Sequence, residues 1–143
     1  GGWVESEGNL TQEGDCWVSD DAMVFDNARV FGKARVFGIA MVFDDAQVFG
    51  NARVFDAAQV CGDARVFGIA RVFGNARVFD NAQVSDTAPI YGNAVIYGDA
   101  RVSGNARVFG NALIYGDARV SDDAQVFGNA RVFDAAVCGG VTS

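Results

Sequence analysis

Gly104-Asn105-Ala106-Arg107-Val108-Phe109-Gly110-Asn111-Ala112-Leu113-Ile114-Tyr115 shows the unit from which this chain is built, twice over. A glycine, a turn-forming polar residue and an alanine lead into three residues of which the middle one is aliphatic and the last aromatic. Outward from this stretch the unit recurs in both directions. From Ala22 to Ala136 every sixth residue is Ala, twenty in succession, and Val or Ile follows two places after each from Val24 through Val132. One more unit, Gly14 to Ser19, stands upstream with Cys16 in the alanine place. Self-similarity at a fixed short period marks a repeat architecture.

Within a unit Ala and Val lie two apart and share one side of a strand, while the residue between them and the aromatic share the other. All ten arginines of the chain occupy the slot between Ala and Val. Burying a column of unpaired guanidinium groups would cost several kcal/mol each, so Ala and Val face in and Arg and Phe face out. The Gly-Asn, Gly-Asp, Asp-Asn and Asp-Asp pairs between units tolerate positive φ and mark corners. A four-residue strand cannot bury its apolar side alone, so units must stack. Three units per coil give a triangular prism of 18-residue coils, each strand pairing with its equivalents about 4.8 Å above and below. The repeats supply about seven coils, a rod on the order of 35 Å long.

Val30-Phe31-Gly32-Lys33-Ala34-Arg35 resembles the unit of the hexapeptide-repeat proteins, with Gly one place later than usual and Phe in its position. That resemblance implies an all-β, single-stranded left-handed parallel β-helix; the handedness comes from the resemblance alone, because the general crossover preference is right-handed. The opening Gly1-Gly2-Trp3-Val4, with Asn9-Leu10 and Gly14-Asp15-Cys16-Trp17-Val18, is similar to the YdcK-like group of largely uncharacterised bacterial and prophage proteins. The abrupt start at Gly1 leads us to expect a natural segment before it. The expected organisation is an N-terminal cap at 1–13, the solenoid at 14–138 and a short tail at 139–143.

Many left-handed β-helices are acyltransferases with a histidine base, and some are carbonic anhydrases with histidine-bound zinc. This chain has no His. Its three cysteines, Cys16, Cys61 and Cys138, have no metal-ligand spacing, and the carboxylates sit at solvated corners. We therefore expect no catalytic residues, no metal and no cofactor. A net charge of -7 argues against binding nucleic acid through its phosphates. No run approaches the roughly 20 apolar residues of a membrane helix, and no secretory signal is visible. Free thiols then suggest a reducing, cytoplasmic setting.

Sorting the units in rotation separates three outer faces. The first carries Phe25, Phe43, Cys61, Phe79, Tyr97, Tyr115 and Phe133 beside Met23, Met41, Gln59, Arg77, Val95, Leu113 and Arg131, and is the least charged. The second turns from Phe31, Phe49 and Phe67 to Ser85, Ser103 and Ser121; the third sets Phe37, Phe55, Phe73, Tyr91, Phe109 and Phe127 beside Arg35, Arg53, Arg71 and Arg107. Stacked rings shield one another, yet such columns present more apolar surface than monomers usually tolerate. The first face is accordingly the expected interface of a side-by-side homodimer, formed by Met23, Phe25, Met41, Phe43, Phe79, Val95, Tyr97, Leu113, Tyr115 and Phe133. The corner between first and second faces carries Asp in every coil, from Asp26 to Asp134. Such a ladder could hold calcium, though turn chemistry at a wet edge is the simpler account. Trp3, Leu10 and Trp17 are expected to cover the first coil, with Glu5, Glu7 and Glu13 keeping it polar. Val137 to Val141 make a poorer cap, so end-to-end association through that edge is a second expectation. The function expected is that of a self-associating structural scaffold; a protein-binding adaptor or an acidic DNA mimic is the alternative.

Overall fold

The computed structural model describes residues 2–143, with residues 11–13 described by their backbone alone. The described residues form twenty-four short strands arranged in three parallel sheets of eight. Consecutive strands go to the first, second and third sheet in turn, so each triple closes one coil of a β-solenoid. Register follows the repeat: Gln59 lies opposite Met41 and Arg77, and Val60 opposite Val42 and Val78, an offset of 18 residues.

The core consists of the two inward slots. From Ala22 through Val126 every Ala and every Val or Ile of the repeat is 0% exposed, each buried Val worth about 1.5–2 kcal/mol relative to exposure. The corners close with a hydrogen bond from the alanine N–H back to the carbonyl of the residue three before it, as from Ala52 to Phe49 at 3.3 Å. Between coils, the second corner residue and both outward residues donate downward: Asn51 to Gly68 at 2.7 Å, Arg53 to Ala70 at 2.9 Å and Phe55 to Val72 at 3.0 Å.

The first residue of each corner has φ near +60°, and from Asp20 to Asp134 it is always Gly or Asp. Its own N–H points away from the ladder just described. Where Asp stands one coil above a corner glycine of the regular coils, its carboxylate accepts that N–H: Gly38 donates to Asp20 Oδ2 at 3.1 Å and Gly104 to Asp86 Oδ2 at 2.9 Å. Glycine also answers a steric demand, since a Cβ on Gly68 would lie 2.8 Å from the backbone N of Asp86.

Both ends depart from the six-residue count, and together they raise the coils from the seven expected to about eight. At the start, Trp3 pairs with Met23 and Leu10 with Val30, a stagger of 20 residues; an irregularity between Leu10 and Gly14 restores 18, since Gly14 pairs with Gly32. Neither tryptophan covers the core. Trp3 and Trp17 occupy outward slots and are 53% and 41% exposed, whereas Val4, Leu10, Cys16 and Val18 pack on the core from the inward slots. Glu5 accepts from Asp26 N at 2.6 Å, and the side chain of Glu13 lies outside the described residues.

At the other end the repeat loses a residue at each of its last two corners. Ala136, Val137 and Cys138 pair with Arg119, Val120 and Ser121, so Val137 takes the inward slot that the count assigns to Cys138. Ala135 fills the alanine place instead, accepting from Arg119 N at 2.8 Å. Gly140 does the same one corner later, accepting from Gln125 N at 2.8 Å, and Val141–Thr142 closes the third sheet against Gln125–Val126.

Candidate interaction surface

The outward slots leave every ring of the repeat on the surface, where the in-register coils stack it on its neighbours. On the first sheet Trp3 tilts against Phe25 at 6.4 Å and Phe25 stacks on Phe43 at 5.1 Å; below Cys61 the column resumes with Phe79, Tyr97, Tyr115 and Phe133 at 4.8–5.1 Å. On the second sheet Phe31, Phe49 and Phe67 stack at 4.8 and 5.0 Å. On the third an unbroken column of seven rings runs from Trp17 through Phe37, Phe55, Phe73, Tyr91 and Phe109 to Phe127. Trp17, read as a cap in the sequence, is the top of that column, with the Arg35 guanidinium 5.3 Å from its ring centre.

Most rings of these columns lie within 10° of parallel to their neighbours, so their faces are filled by one another and only edges point outward. Stacking leaves each interior ring half-buried; Phe133, the last of its column, is 56% exposed. The ten residues expected to form an interface all lie on the first sheet, in two adjacent columns along the rod. Among them Met23 is exposed and Met41, Val95 and Leu113 are half-buried. Arg77 and Arg131 are charges beside the ring column on this sheet, and exposed Glu5 takes the ring slot above Phe25.

Cys61 interrupts the ring column. Burial pushes its thiol above the usual range; Asp44 and Asp80 in the coils on either side add to the shift and Arg77 works against it. Asp44 and Asp80 are themselves held as corner residues, each accepting the N–H of a glycine one coil down, Gly62 at 3.1 Å and Gly98 at 3.2 Å. Second corner residues also form side-chain bonds along the rod: Asn27 donates to Asp45 Oδ1 and Asn81 to Asp99 Oδ1, both at 3.1 Å, and Thr87 donates to Asn105 Oδ1. Among the described residues no three His, Cys, Asp or Glu side chains come together as a metal-ion group would require.

One functional residue of the fold carried no chemical signal in the sequence. Asn9 is 1% exposed. Its Nδ2 donates to the carbonyls of Asp26 at 3.0 Å and Ala28 at 2.9 Å, and its Oδ1 accepts from Ser6 N at 2.7 Å and Ser6 Oγ at 3.2 Å. The first coil breaks into a 3-10 turn over Glu7–Asn9 here, and one side chain donates to both carbonyls.

None of the curated proteins compared with this sequence matches it. The family model of the YdcK beta solenoid repeat matches at residues 46–59, 58–68, 70–86, 100–114 and 124–140, half of the chain. With three parallel sheets, 18-residue coils and that match, the chain belongs to the YdcK β-solenoid repeat family.

Proposed function

We propose that this protein is a non-catalytic scaffold whose copies pair side by side through the first sheet. The observation that carries this reading is the strip of Met23, Met41, Val95 and Leu113 beside the ring column, with Arg77 and Arg131 as its charges. The strip comes as two apolar pairs, Met23 with Met41 and Val95 with Leu113, separated by Gln59 and Arg77; exposed apolar patches are costly in water and mark contact sites on folded proteins. Burying it against a copy of itself makes a self-complementary, closed pair. Ring edges rather than faces point outward, which suits packing against another apolar strip better than stacking on a planar ligand.

The test uses the repeat's own vocabulary. Gln occupies the same slot at Gln59, so Met41→Gln, Val95→Gln and Leu113→Gln together retain the fold. Light scattering should give a dimer for the wild type at micromolar concentration and a mass half as large for the triple variant. A monomeric wild type overturns the reading.

A further inference from the structure

The third sheet carries a feature in its first half that pairing through the first sheet does not use. Arg35, Arg53 and Arg71 are register partners on successive strands, which sets their backbones about 4.8 Å apart. Like charges directly opposite one another in a sheet are destabilising. The second sheet avoids the clash over its first half by alternation, with Gln47 between Arg29 and Arg65 and Gln83 between Arg65 and Arg101. Asp45 and Asp63 flank that alternating column. The corner flanking the third-sheet arginines offers Lys33, Asn51 and Ile69 instead.

Among the described residues no carboxylate pairs with any of the three arginines, and all three are exposed. Asp20 and Asp56 lie across the phenylalanine column and hold the N–H groups of Gly38 and Gly74. Two exposed large apolar side chains frame the stripe, Ile39 at 60% and Ile69 at 54% exposure. Aligned arginines beside aromatic and exposed aliphatic residues, without neighbouring acids, have the composition of an interface core.

We propose that this stripe docks the aspartate corner of a second copy of the chain. Asp45, Asp63, Asp99 and Asp117 are exposed along the corner between the first and second sheets. Both ladders are cut from the same 18-residue coil, so their pitch is identical, and the adjacent pairs Asp45/Asp63 and Asp99/Asp117, separated by Asn81, each match two neighbouring arginines. The contact is heterologous: stripe and corner are different surfaces of one chain, so each copy gives one and receives the other. It builds on first-sheet pairing by linking closed pairs into an open array. It differs from that pairing in being ionic, and half-molar salt, with a Debye length of a few Å, suppresses it.

Sedimentation velocity of the intact chain in 50 mM and 500 mM NaCl tests this. Species larger than the first-sheet dimer are expected at 50 mM and should collapse to that dimer at 500 mM. A monomer at 500 mM with growth at 50 mM would remove first-sheet pairing and keep the stripe. In the background of the three Gln substitutions on the first sheet, Arg35→Gln/Arg53→Gln/Arg71→Gln and Asp45→Asn/Asp63→Asn/Asp99→Asn/Asp117→Asn should each stay monomeric. Mixed, the two should give a 1:1 complex without further growth, because each lacks what the other supplies. Gln and Asn already stand in these slots at Gln47 and Asn81, so the variants fold. A wild-type mass unchanged between the two salts, or chains lacking Arg35, Arg53 and Arg71 that associate as the wild type does, overturns the proposal.

Discussion

Asn9 donates through its side-chain amide to two main-chain carbonyls. Replacing it with Ala leaves the carbonyls of Asp26 and Ala28 without their donor, at a cost of about 1–3 kcal/mol. Urea unfolding should show that loss, and hydrogen exchange should rise in the first coil before the middle of the rod. Nothing in the sequence singled this residue out chemically, because it lies outside the repeat and its partners are main-chain atoms. The inward Ala and Val were legible, since placing ten arginines inward is energetically excluded. So were the corners, although only their first residue proved to need positive φ. The last coil was not legible: Ala135-Ala136 offers two candidates for one slot, and counting in sixes chooses the wrong one. Cys61 makes a different test. With its pKa raised by burial and by Asp44 and Asp80, it should react with a disulfide reagent at pH 8 more slowly than exposed Cys138. Its rate should keep rising above the pH at which an ordinary thiol levels off, and Asp44→Asn/Asp80→Asn should move the profile back toward neutral pH.

Single strands here are two to five residues long, too short to persist alone, so the column across coils is the unit that holds. Each sheet's rings form such a column, and the first is the one broken in mid-rod, by Cys61 between Phe43 and Phe79. Cys61→Phe should join the two halves and add two stacked pairs, each worth about 0.5–1.5 kcal/mol. The melting temperature should rise by several degrees; no rise would mean that the stacks contribute little beyond shielding. Sorting residues by rotation identified every column from the sequence. What it overestimated was the exposed apolar area, because parallel rings at coil spacing cover one another's faces.

Because neighbouring coils make nearly all the contacts, stability should follow coil number. Deleting residues 64–81 removes one whole coil and leaves every later side chain on its own sheet. That variant should fold, with a smaller denaturant slope, and still associate. Deleting residues 70–75 instead keeps the inward pattern but turns all later units by one face. Val95 and Leu113 then leave Met23 and Met41, so the short deletion should melt like the wild type in circular dichroism yet lose the dimer. Association retained by both would show that the first sheet is not the contact.

The coil-to-coil ladder also has a mechanical consequence. Pulling the two ends of the chain apart loads the bonds of the outermost coil alone, as a zip is loaded at its slider. Each coil that yields frees 18 residues, about 60 Å of extended chain, before the next feels the force. In an optical trap the rod should therefore lengthen in low, evenly sized steps, and the steps from its shortened C-terminal coil should be the smaller ones.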